Sequence, residues 1–184
     1  MQDNPVPAEK YSTFHRLLHW LMALIIVGMI VIGWYMSELP REDPLRGQLY
    51  GLHFSFGVTL FALAVLRLLT RAVGHVPPPL PALAGWEVTV SRVNYFLMYL
   101  LMLAVPVLGY LTVSTVPDSQ GVSVFGLFSL PPLTGPDKEL HETFETLHGY
   151  GAWTLATLIA LHVLGALKHR YLDGPEADVL PRMM

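Results

Sequence analysis

Four stretches of this 184-residue chain contain no Asp, Glu, Lys or Arg: Leu17 to Ser37, Gly47 to Leu66, Val93 to Pro117 and Thr146 to Leu167. At about 1.5 Å of rise per residue, each can cross about 30 Å of hydrocarbon as a helix. Hydrophobic residues make up 53% of the chain and charged residues 14%, against about 25% charge in ordinary soluble domains. The fold class this dictates is all-α, an integral membrane four-helix bundle. Its spans are expected at about 15–37, 48–70, 93–115 and 146–168, in a single membrane domain over residues 1–184.

No small-residue cleavage site leads from the first window into a soluble domain, so it reads as a retained helix rather than a signal peptide. The absence of cysteine excludes disulfides, thiolate metal sites and the C-x-x-C-H attachment of a c-type haem. With four spans, both termini and the loop joining the second and third helices share one side. That side carries Lys10, Arg16, Arg67, Arg71, Arg92, Lys168, Arg170 and Arg182, against Arg41, Arg46 and Lys138 on the other. An excess of basic residues marks the cytoplasmic face, which places both termini in the cytoplasm.

The inner loop holds Val76-Pro77-Pro78-Pro79-Leu80-Pro81, a stiff extended connector. After it, Trp86 to Arg92 is expected to form a short interfacial turn before the third span. The outer loop from Asp118 to Pro136, with Val124, Phe125 and Phe128 among Gly, Ser and Pro, is expected to lie on the membrane surface. His141 to Leu147 reads as a polar outward extension of the fourth helix, and Pro106 as a kink in the third.

Ligating groups at membrane depth are costly, so the histidines are the chain's main pointer to function. His19 lies near the cytoplasmic end of the first span and His53 near the outer end of the second. His148 and His162 lie at the two depths of the fourth. Fourteen residues separate His148 from His162, which brings a helical side chain back to within about 40° of its direction, about 21 Å along the axis. The pairings by depth are His19 with His162 and His53 with His148. Each pair is a candidate axial set for one haem b, giving two haems stacked across the bilayer. A bis-imidazole iron has no open position, which favours electron transfer over oxygen binding.

Other residues read more than one way. His15 beside Arg16 is expected to contact lipid headgroups, and His141 is the rival of His148 at the outer site. Arg67, 14 residues after His53, either pairs with a haem propionate or snorkels as a positive anchor, and Arg71 reads as an anchor. Gly57, Gly149 and Gly151 could admit a macrocycle but read as helix-packing positions. Trp20, Trp34, Trp86 and Trp153 read as interfacial belt or core.

The order and spacing of Phe14-His15-Arg16-Leu17-Leu18-His19-Trp20, Leu52-His53 with Gly57, Arg67 to Arg71, Leu147-His148-Gly149 and Leu161-His162 to His169 resemble the bacterial cytochrome b561 family. The likeness covers nearly the whole chain. It implies a di-haem b protein of the bacterial inner membrane with His19, His53, His148 and His162 as iron ligands and ubiquinone as electron acceptor. One branch of the family is a superoxide oxidase, and superoxide is accordingly the donor expected at the outer face. For quinone, the need for a hydrogen-bond donor and for protons directs attention to Arg16, Trp20, Lys168 and His169, whose alternative is a headgroup-anchoring cluster. The chain departs from the family where His-Glu is usual: His148 is followed by Gly149, and a His-Glu pair occurs at His141-Glu142 instead. The outer loops are also net acidic, a poor field for an anion.

Three classes of function follow: a superoxide:quinone oxidoreductase, an electron-transfer subunit serving a protein redox partner, and a haem-free proton or metal carrier. The bilayer and its quinone pool are the expected partners, and no nucleic acid is.

Overall fold

The structure, a computed structural model, describes residues 9–184. Four helices account for most of it: α1 (Thr13–Glu38), α2 (Pro44–Val73), α3 (Gly85–Ser114) and α4 (Lys138–Tyr171). All four are long and apolar enough to cross a membrane. The α1, α2 and α4 helices overrun their expected spans at both ends and α3 at its start, because polar residues near the helix starts carry them beyond the apolar windows. Asp43 accepts the Leu45 N–H at 2.9 Å, with Pro44 in the first turn of α2, and Asp137 accepts the Leu140 N–H at 3.0 Å.

The helices bury little side-chain surface against one another. Leu24, Trp34, Trp153 and Leu164 all point outward, as expected where the solvent is itself apolar. The small core consists of Leu18, Met22 and Ile26 on α1, Leu60 and Ala64 on α2, Met102 on α3 and Leu155 on α4. Leu155 lies midway in sequence between His148 and His162, so this apolar layer separates two histidine levels. Close packing joins α1 to α2, α2 to α3 and α3 to α4. Neither α1 nor α2 packs closely on α4; histidine rings make that connection.

One expectation about the loops is corrected. Residues 86–92 are not a separate interfacial turn but the opening turns of α3, started by Glu87 Oε2, which accepts the Ala84 N–H at 2.9 Å. The outer loop contains an antiparallel hairpin of β1 (Val122–Val124) and β2 (Phe128–Leu130), with Val122 opposite Leu130. It is tied to α2. The buried Ser55 hydroxyl donates to the Gly51 carbonyl at 2.8 Å, lies 3.3 Å from the Ser123 carbonyl oxygen and accepts the Phe125 N–H at 2.9 Å. Phe125, at φ 51°, and Gly126, at φ 70°, form the tip, and the Phe125 ring stacks edge-on against Phe56 at 5.2 Å. A positive φ at a bulky aromatic is uncommon; the hydroxyl and the ring contact hold it here. The α3 helix continues through Pro106.

At the other end, two short 3-10 turns at Pro175–Ala177 and Leu180–Arg182 fold the tail back under the bundle. Buried Arg182 donates to the Glu9 carbonyl at 3.1 Å and the Pro78 carbonyl at 2.7 Å, stapling the tail to the start of the described chain and to the proline connector.

Candidate haem-binding site

The four histidines meet as two pairs. At the outer level the His53 and His148 rings have centroids 6.0 Å apart and planes at 75°. At the inner level His19 and His162 are 6.2 Å apart, also at 75°. Two imidazole nitrogens each about 2 Å from a shared metal ion put their ring centroids roughly 6 Å apart. The spacing therefore suits one iron between each pair.

Hydrogen bonding distinguishes the outer candidates. His148 Nδ1 lies 2.9 Å from the Val105 carbonyl oxygen, so it carries the hydrogen and leaves Nε2 with its lone pair available to a metal. His141 Nδ1 lies 3.0 Å from the Thr112 carbonyl oxygen and its Nε2 lies 4.0 Å from Glu145, which engages this ring at the end of α3. His53 Nδ1 is buried with no hydrogen-bond partner among the described residues.

Both outer rings rest on glycines. A Cβ at Gly109 would stand 3.0 Å from Cε1 and 3.1 Å from Nδ1 of His148, and one at Gly33 would stand 3.2 Å from Cε1 of His53. Sequence reasoning missed both, since neither adjoins a histidine in the chain. The glycines it singled out do other work: Gly151 meets Val105 on α3, Gly57 faces Met29 on α1, and Gly149 faces open space.

The inner pair has different company. Tyr95 lies 5.6 Å from the His162 ring and Trp20 5.3 Å from that of His19. Arg67 turns into the bundle. Its Nε donates to Tyr99 Oη at 3.0 Å, Nη1 donates to the His15 carbonyl at 3.0 Å and Nη2 lies 3.4 Å from His19 Nδ1. His15 is not at the headgroups. It is 5% exposed, with its ring 6.2 Å from that of Tyr11, because α2 closes over this face of the first turns of α1.

The remaining candidates hold together the end of the bundle that carries the C-terminal tail. Trp20 Nε1 donates to the Met183 carbonyl at 2.8 Å, and Arg16 donates to the Met184 carbonyl and to Thr13. Lys168 bridges Glu87 at 2.7 Å and Asp173 at 2.6 Å, while His169 Nδ1 lies 2.7 Å from the same Asp173 carboxylate. The hydrogen bond from Lys168, with a second from His169, holds the Asp173 carboxyl below its usual range. Glu87, His169 and Asp173 could together ligate a metal ion, but the Lys168 ammonium supplies positive charge to both carboxylates.

The model of the prokaryotic cytochrome b561 family matches residues 10–184. The chain belongs to this family. It is a multi-pass bacterial membrane protein of a class that binds haem b and transfers electrons, and the paired imidazoles suit that cofactor. It is 33% identical over 176 residues to cytochrome b561 homolog 2 of Escherichia coli, covering 96% of this chain and 92% of that one. It is 29% identical over 178 residues to a probable superoxide oxidase, CybB, of Yersinia pestis, covering 96% of each. Cytochrome b561 homolog 1 of E. coli is 24% identical, over 96% of this chain and 97% of that one.

Proposed function

We propose that this cytochrome b561 family member is a single membrane domain holding two haem b groups, one between His53 and His148 and one between His19 and His162. In this reading it carries electrons from the outer face to ubiquinone, with superoxide as donor and both termini in the cytoplasm. The carrying observation is the pair of 6 Å imidazole spacings at two levels of one helix. The probable superoxide oxidase among its relatives supports the choice of donor.

Bound haem supplies reversible one-electron chemistry at iron. The protein's part is to fix and bias it. Val105 sets the His148 tautomer, Gly33 and Gly109 seat the outer rings, and the core around Leu155 excludes water between the levels. Two superoxide anions would lose one electron each and leave as dioxygen; one quinone would take both electrons and two protons. Arg16, Trp20, Lys168 and His169 are the proposed quinone-facing residues, with cytoplasmic water at hand for the protons.

Stopped-flow mixing of the oxidised holoprotein with superoxide tests the enzyme. Haem reduction faster than spontaneous dismutation is expected, and no reduction removes superoxide as donor. The apolar hairpin tip, with Phe125, Phe128 and the 80% exposed Leu127, favours a second reading, docking of a redox protein. Reduction by a co-purifying protein but not by superoxide would select it.

A further inference from the structure

We infer that Arg67 makes the inner centre the electron sink and so sets the direction of transfer, outer to inner. This rests on the two-haem reading. Arg67 is a half-buried cation with no carboxylate partner among the described residues; its contacts are a phenol, a carbonyl and an imidazole nitrogen. A guanidinium placed this way at the edge of the hydrocarbon is costly unless negative charge arrives beside it. An electron at the inner iron is such a charge.

The two levels are biased in opposite senses. Next to His19, Arg67 adds a full positive charge, which favours ferrous iron; a His19 bound to iron through Nε2 would carry its hydrogen on Nδ1, so the guanidinium at 3.4 Å acts through its charge and not as a donor to that nitrogen. Next to His148, the Val105 carbonyl accepts the Nδ1 hydrogen, makes the ring a stronger electron donor and favours ferric iron. Among the described residues, no charged group is hydrogen-bonded or ion-paired to His53 or His148. With haem held at both levels, these surroundings would favour the electron at the inner pair: the outer centre would give up one electron and the inner centre take it, with no further reactant required. Arg67 acts here as a positioning residue.

Potentiometric titration of the purified holoprotein, followed in the haem absorption bands, tests this. Arg67→Gln should lower the midpoint of the higher-potential component by about 59 mV, a tenfold change in the one-electron equilibrium. Arg67→Lys, which keeps the charge, should restore most of it. An unmoved midpoint in Arg67→Gln with both components present overturns the inference, as it would if a haem carboxylate already neutralised the guanidinium. A second measurement covers the case in which Arg67→Gln loses haem: His148→Ala should retain the component of higher potential. Retention of the lower one overturns the inference. A wild-type protein with no b haem by pyridine haemochrome removes the two-haem reading as well, whereas two haems in the reverse order of potential remove only the bias.

Discussion

The outer and inner histidine pairs have nearly the same spacing and the same 75° between rings, yet they are built by opposite means. The outer pair is seated by what is missing: Gly33 and Gly109 let helix backbones come up against the imidazoles. The inner pair is surrounded by what has been added, Trp20, Tyr95, Arg67 and, through Arg67, Tyr99. The outer site should therefore be sensitive to volume and the inner one to charge. The same ring geometry is reached by two different constructions.

The pairing itself offers the largest effects. His19→Ala and His162→Ala should each abolish the same haem spectral component, and His53→Ala and His148→Ala the other; loss of mismatched components would break the comparison. His141→Ala should leave both, and disappearance of the outer component would transfer ligation to His141. Next comes volume. Gly109→Val would force β-branched bulk onto the His148 ring and should lose most of the outer haem, with Gly33→Ala milder and Gly149→Ala without effect on haem content. A Gly109→Val protein with full haem occupancy would show that the glycine does not seat His148.

The smallest effect expected is at the Lys168–Asp173 clasp at the end of α4. The depressed folded-state pKa of Asp173 means that its contribution to stability is present above the unfolded value near 3.8 and is lost as pH falls through the lower folded value. Thermal melts should show Asp173→Asn less stable than wild type at pH 7, with the difference shrinking only in strong acid. A difference that grew on acidification would contradict the sign.

The four spans were legible because membrane depth forbids charge, so the charge-free windows trace the helices. The histidine pairing was legible because one helix carries two of the rings in register, and depth assigns their partners. What was not legible depended on contacts between distant segments. Gly33 and Gly109 are seen to matter only when α1 lies against the His53 ring and α3 against that of His148. Nothing in the local pattern could tell that Ser55 ties down a hairpin, or that tail carbonyls would take the Trp20 and Arg16 donors. His15 was misplaced for the same reason: next to Arg16 it reads as interfacial, and only the closure of α2 over α1 buries it.

His148 and His162 stand on one uninterrupted helix, α4. In the proposed two-haem arrangement, the distance between the centres would accordingly be set by covalent geometry along a single rod, not by how far neighbouring segments slide. A thicker or thinner bilayer that tips the molecule would swing both imidazoles together and leave that gap unchanged.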